Sequence, residues 1–286
     1  MILITGAAGK TGRAVIQALS ALGASVRAFV RREEQIPILE ALWVDDVWVG
    51  DLLNSQAVEQ SLQGVRAVYH IPPNVSPYEF RIGQLIISAA RSSGVEQFVF
   101  HSVMHPQTES MPHHWQKLRV EESLFESGLP FTILQPTAYM QNLLAHWDRI
   151  IDQGIYPVPY SKEARSCLVD LNDVAEVAAK VLTEPGHIGA TYELVGSRAL
   201  SQTEIAQILS EGLNRAVDVQ EISVDVWEAG VREAGMGEYQ IATLKKMFAY
   251  YDRFGFQGNS NVLAWLLGRE PTSYEAFVQR YVNFEV

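Results

Sequence analysis

Gly6, Gly9 and Gly12 recur every third residue in Thr5-Gly6-Ala7-Ala8-Gly9-Lys10-Thr11-Gly12, directly behind the apolar run Ile2-Leu3-Ile4. Glycines at this spacing between a strand and a helix make a phosphate cradle. Gly6 lets the chain leave the strand in a tight turn, Gly9 leaves room for a pyrophosphate against the backbone, and Gly12 lets the helix press against the sheet. The start of the helix then offers an anion free amide donors and a positive dipole end. Downstream, Ala14, Val15, Ala18, Leu19 and Leu22 share one face, so the triplet opens an amphipathic helix, the context a dinucleotide site requires.

Other residues fall where such a site needs them. The next apolar run ends in Phe29-Val30-Arg31-Arg32, at the position where dinucleotide folds meet the adenosine ribose. A carboxylate there would accept from a free 2′-hydroxyl, whereas guanidinium groups pair with a 2′-phosphate. NADP(H) is therefore favoured over NAD(H); the alternative makes Arg31 and Arg32 solvated partners of Glu33 and Glu34. Asp51, in Gly50-Asp51-Leu52, is placed to accept from an adenine amine, or is a turn residue before a helix capped by Asn54 or Ser55. His101, His105, His113 and His114 lie close in sequence, but with few carboxylates nearby and Cys167 the sole cysteine, no metal site is expected. Cys167 reads as a small packed group. Tyr139, Met140, Trp147, Tyr156 and Tyr160 either line a pocket wide enough for a flat aromatic substrate or form the core between the two lobes.

The elements that must position these residues alternate. Strand candidates at 2–5, 25–30, 44–49, 66–71, 97–103, 131–135 and 191–195 are separated by helical patterns at 12–23, 55–62, 78–93, 115–127 and from about Asn172. The third helix is the clearest, with Ile82, Leu85, Ile86, Ala89 and Ala90 on one stripe and Gly94 as its stop. This alternation predicts an α/β fold: a doubly wound, parallel Rossmann-type sheet with a smaller, mostly helical C-terminal substrate lobe. Residues 1–137 with 166–197 form the expected nucleotide-binding domain, and 138–165 with 198–286 the lobe. At 286 residues, 48% hydrophobic, the chain is long enough for a large core. A net charge of −11 without Lys/Arg clusters argues against nucleic acid and for a small-molecule substrate. One cysteine, no apolar run of membrane length and no leader-like start give the expectation of a cytoplasmic protein.

The cradle, Val30-Arg31-Arg32, Gly50-Asp51-Leu52, Gly94-Val95 before Phe98-Val99-Phe100-His101-Ser102-Val103, Ser127-Gly128-Leu129-Pro130-Phe131-Thr132-Ile133-Leu134-Gln135-Pro136, Val169-Asp170-Leu171-Asn172-Asp173-Val174-Ala175 and Leu182-Thr183-Glu184-Pro185-Gly186 together resemble the NmrA-like branch of the atypical short-chain dehydrogenase/reductases. The likeness covers nearly the whole chain and is weakest after about residue 215. It implies an NADPH-dependent oxidoreductase passing hydride to a quinone-like or conjugated acceptor. It also leaves room for an NADP(H)-sensing regulator without turnover, or a cofactor-assisted isomerase or lyase. By resemblance the nucleotide touches Gly6, Ala7, Ala8, Gly9, Lys10, Thr11, Gly12, Arg31, Asp51, Leu52, Ile71, Pro72, Lys117, Pro136, Thr137, Tyr139 and Met140. Carbonyl-reducing relatives carry a Tyr four residues before a Lys; here that spacing gives His113 and Lys117, with His114 adjacent. A tyrosine, with a pKa near ~10, is a steady proton donor at pH 7, while a histidine near ~6.5 is only partly protonated. Lys117 could hold the nicotinamide ribose, or be a helix-surface lysine paired with Glu121 at i+4. Ser102 could orient a substrate oxygen or satisfy nearby backbone.

Overall fold

The apolar, β-branched runs of the first half become strands, and the amphipathic stretches between them become helices. In the computed structural model, which describes residues 1–282, the order is β1 (Ile2–Ile4), α1 (Lys10–Ala21), β2 (Val26–Val30), α2 (Ile36–Glu40), β3 (Asp46–Val49), α3 (Ser55–Ser61), β4 (Ala67–His70), α4 (Glu79–Ser92), β5 (Gln97–His101), α5 (Pro112–Phe125) and β6 (Phe131–Pro136). Then come α6 (Trp147–Gln153), β7 (Ile155–Val158), β8 (Ser166–Cys167), α7 (Leu171–Thr183), β9 (Ala190–Leu194), β10 (Ala199–Leu200), α8 (Gln202–Leu213), β11 (Asp218–Glu221), α9 (Val224–Glu233), α10 (Glu238–Phe254), α11 (Asn261–Leu267) and α12 (Tyr274–Val282).

Among the described residues, a seven-stranded sheet runs in the order β3-β2-β1-β4-β5-β6-β9. The chain winds outward from β1 to β3, then returns to place β4 on the other side of β1, so the strand order reverses between β1 and β4. In an open parallel sheet that reversal leaves a crevice at the carboxyl ends. The parallel register sets those ends in step: Ile4 lies opposite Tyr69, His70 opposite Phe100 and His101 opposite Leu134. Thr5, Ile71, Ser102 and Gln135, each just past these pairs, therefore emerge on one edge.

The chain divides into two compact units. The first holds Met1–Thr108, His113–Pro136 and Val174–Tyr192. Its core includes Leu3, Val68, Phe98, Phe100, Ile86, Val120, Leu124 and Ile133. The second takes Glu109–Pro112, Thr137–Asp173 and the described residues from Glu193 on, around Met140, Trp147, Tyr156, Leu209 and Phe277. Residues 166–173 and 193–197, which the strand–helix pattern assigns to the nucleotide-binding domain, fall in the second unit, where Tyr139 bridges Val169 and β8 pairs antiparallel with β10.

Local differences from the sequence reading have local causes. The buried face of α1 is Val15, Ile16 and Leu19 with Thr11 and Gly12; Leu22 is 61% exposed because the helix ends before it and Gly23 turns away at φ +68°. Helix α5 begins at Pro112 instead of residue 115, since proline's fixed φ and missing N–H suit the first helical position. His113 and His114 are thus helical, one turn before Lys117. Short α2 and the small sheets β7–β11 and β8–β10 carry no strong periodicity.

Helix α4 packs against α5 at Gly83, where an added Cβ would lie 2.6 Å from a Val120 methyl. Gly83→Ala should therefore destabilise the protein by about 1–3 kcal/mol through overpacking. Chemical denaturation checks this: Gly83→Ala combined with Val120→Ala should be more stable than the sum of the single effects, whereas additive losses would disprove the contact.

Candidate functional site

The glycine loop is shaped by its own backbone. Gly6 sits at φ +62°, where a side chain is strained, and a Cβ there would be 3.1 Å from the Ile71 carbonyl oxygen. At Gly12 a Cβ would come within 2.5 Å of the Gly6 oxygen and 2.6 Å of Ala7 Cα. Gly12 thus lets α1 press on the loop, where the spacing argument had it pressing on the sheet. Gly9 caps α1 with extended backbone, no side-chain hydrogen bond and no acid in the first turn, so the positive helix end is not neutralised from within. Ala7 and Thr11 are buried, Ala8 is partly shielded, and Lys10 is exposed.

Thr5 ties this loop to the end of β4. Its hydroxyl accepts from Ile71 N–H at 2.9 Å, donates to the Ile71 carbonyl at 3.2 Å and lies 2.8 Å from His70 Nδ1. Assigning the His70 proton to Nδ1 satisfies all three contacts. Ile71 and Pro72 follow, both buried.

Arg31 and Arg32 are exposed, and their backbone N–H groups both donate to Gln35 Oε1 at 3.1 Å. Among the described residues neither guanidinium forms an ion pair, so the pairing with Glu33 and Glu34 is not made. Asp51 Oδ1 accepts from Leu53 N at 2.9 Å and Asn54 caps α3 through Ala57 N, which makes Asp51 a turn residue on that oxygen; Leu52 packs against the first unit's core.

Lys117 is not a surface lysine paired with Glu121. Its side chain is 12% exposed, and Nζ lies 2.5 Å from Oε1 of Glu79, which is fully buried at the start of α4. Glu121 is also buried and accepts from the Ser102 hydroxyl and from Gln135 Nε2 at 2.9 and 3.1 Å. Ser102, 2% exposed, is therefore engaged with Glu121. Burial raises both carboxyl pKa values, and the Lys117 charge opposes the rise in each. Glu79 had no signal in the sequence, because an acid in the first helical turn reads as a partner of the dipole.

On the histidines around Lys117, burial and the Lys117 charge both act downward. His70 and His101 are each pushed down to about 3, His113 to about 2 and His114 to about 4, with burial the largest cause in every case. His101 Nδ1 lies 2.6 Å from the Tyr69 hydroxyl, and His114 Nδ1 lies 3.1 Å from the His105 carbonyl oxygen, to which it donates. All four rings are neutral at pH 7. Desolvation thus moves His113 and His114 away from the ~6.5 at which a general acid would be partly protonated near neutral pH.

In the second unit, Thr137 N donates to Leu194 O while its buried hydroxyl has no partner among the described residues. Tyr139 bridges Val169. Met140 is 2% exposed and joins Trp147 and Tyr156 in the core, while Tyr160 packs against Phe248 and Tyr251. Met140, Trp147 and Tyr156 lie in the core of the second unit itself. Cys167 is buried, with burial raising its pKa.

Comparison with known proteins extends this geometry. The model of the NmrA-like family matches residues 1–284. The NAD(P)H azoreductase of Xenophilus azovorans is 28% identical over 282 residues, covering 98% of each chain. The structure of the NADPH-dependent quinone oxidoreductase of Escherichia coli complexed with NADPH matches with a TM-score of 0.85 and 26% identity over 98% of this chain and 99% of that one. The triphenylmethane reductase of Citrobacter sp. complexed with NADP(H) gives 0.85 and 25% over 98% and 99%.

The depressed histidines set a pH dependence of stability. Each takes up a proton on unfolding once the pH is below the unfolded value of ~6.5, so the folded state is favoured above that pH and loses stability below it. Urea unfolding should show stability falling from about pH 6.5 towards pH 4, at up to about 1.4 kcal/mol per pH unit for each ring. The raised carboxyls Glu79 and Glu121 act in the opposite sense, so His101→Gln isolates a ring: it should reduce the slope, and an unchanged slope would show that the ring is not held neutral.

Proposed function

Since the chain belongs to the NmrA-like family and is an NAD(P)H-dependent oxidoreductase, we propose that it reduces flat, conjugated acceptors such as quinones, with NADPH preferred over NADH. The observation that carries this reading is the cradle, where Gly12 has no room for a Cβ and the α1 N-terminus is uncapped by any side chain. A diphosphate fits there, held by backbone amides and the helix dipole. Arg31 and Arg32 are free to pair with a 2′-phosphate, Asp51 and Leu52 to meet the adenine, and Lys117 to hold the nicotinamide ribose. When bound, the nucleotide supplies the hydride.

The remaining chemistry belongs to the chain and solvent. Reduction of a quinone to a hydroquinone consumes one hydride and one proton. With His113 and His114 held neutral by burial, neither is suited to donate that proton, and Ser102 is bonded to Glu121. We assign the proton to water, which suffices for a quinone because its reduced oxygen is a weak base. Azo compounds, quinones and triphenylmethane dyes, the acceptors named for the similar proteins, share an extended π system that accepts hydride without strong protein acid catalysis. This supports the conjugated class over simple ketones.

Two measurements test the reading. NADPH should bind at least about tenfold more tightly than NADH, equivalent to about 1.4 kcal/mol. In titration calorimetry, the combined Arg31→Ala and Arg32→Ala variant should lose that difference while still binding NADH. Steady-state NADPH oxidation against quinones, azo dyes, enones and imines should be fastest with the first two, and its rate should not follow a histidine titration between about pH 6 and 8. Tight NADPH binding with no acceptor-dependent oxidation would favour a nucleotide sensor.

A further inference from the structure

Two buried carboxylates stand close to Lys117, and they are satisfied very differently. Glu121 has its oxygens occupied by Ser102 and Gln135. Glu79 has one oxygen on Lys117 Nζ, and Oε2 is buried with no hydrogen-bond partner among the described residues. A buried carboxylate kept for structure alone is normally bonded on both oxygens, because an unmatched charged atom is costly away from water. The neighbouring cation on α5, Arg119, instead lies over the Phe80 ring at 3.7 Å. Glu79 is thus directed at Lys117.

We propose that Glu79 is a positioning residue that fixes the Lys117 ammonium, in charge and direction, for the nucleotide; this rests on the reading of Lys117 as the ribose-holding residue. An ammonium has three donors. With one on Glu79, two remain for the ribose and a phosphate, and the long lysine side chain is anchored before the nucleotide arrives. The backbone is arranged for this pairing, since Gly83, one turn after Glu79, lets α4 approach α5 at Val120. The groups facing Lys117 are Glu79 on α4, His70 at the end of β4, His101 at the end of β5, and His113, His114 and Glu121 on α5. The four rings are neutral and Glu121 is bonded elsewhere, so Glu79 is the counter-charge in contact. Without it, burial favours the neutral amine, and the loss grows as pH rises.

The test uses the full chain with Glu79→Gln, Glu79→Asp, Lys117→Met and the Glu79→Gln/Lys117→Met double variant. NADPH affinity is measured by fluorescence titration from about pH 6 to 9, and kcat and KM with 2-methyl-1,4-naphthoquinone as acceptor. Glu79→Gln should raise Kd and KM for NADPH about tenfold at pH 7 and further at pH 9. Glu79→Asp, which keeps the charge on a shorter arm, should lose affinity without the added pH dependence. In the Lys117→Met background Glu79→Gln should change nothing. A structural role would lower stability in every background and leave the pH profile of binding unmoved. Wild-type affinity for Glu79→Gln at all pH values, or an equal loss with and without Lys117, would overturn the proposal. If Glu79→Gln fails to fold, the comparison of Lys117→Met with the double variant decides, because neither leaves an ammonium without its partner. Failure of wild type to bind NADPH overturns both readings; NADPH binding without turnover removes hydride transfer while the titrations still decide the role of Glu79.

Discussion

The site depends on one constraint, the parallel pairing of β1 with both β2 and β4. A strand flanked on both sides by parallel neighbours needs crossovers in opposite directions, and the two loops leaving its neighbourhood diverge. That divergence makes room for a ligand at the end of the sheet without any side chain having to withdraw. The Thr5 hydroxyl, bonded to both backbone groups of Ile71, holds the two loops in a fixed relation. The glycines then follow from it: with the loop tied down, Gly6 and Gly12 occupy places where a Cβ would meet backbone.

The second organising feature is electrostatic. A lysine, two carboxylates and several imidazoles gather at the carboxyl ends of β4 and β5 and on the facing turns of α4 and α5. In a low-dielectric surround the Lys117 ammonium and the Glu79 carboxylate meet in direct contact, while burial, and after it the nearby Lys117, lowers the pKa values of the imidazoles. A site with one anchored cation and neutral rings is suited to binding an anionic nucleotide and poorly suited to histidine acid catalysis. This is the basis on which we propose a conjugated acceptor, whose reduced form needs little help from a protein acid, over an isolated carbonyl.

Replacement of the expected tyrosine by His113 is consistent with that environment. Its Nδ1 is buried without a partner among the described residues, and its ring lies edge-on to His114 at 4.5 Å between centroids. The two rings pack as a pair on the first turn of α5.

The sequence by itself determined the seven strands of the main sheet, the principal helices between them and the glycine loop after β1, because each is written in near-neighbour terms. Alternation of apolar residues, glycines at fixed intervals and the run of guanidinium groups after β2 all act over a few residues, where backbone sterics and local burial are decisive. Tertiary structure decided which charges meet. Glu121, at i+4, was the natural partner for Lys117 on an isolated helix, yet Glu79, 38 residues away, takes that place because α4 packs against α5 at Gly83. Likewise Met140, Trp147 and Tyr156 could have lined a pocket or filled a core, and only packing made them core. The protonation of the histidines was beyond the sequence for the same reason: a pKa is set by the water and charge surrounding a group in space, and these come from segments far apart along the chain.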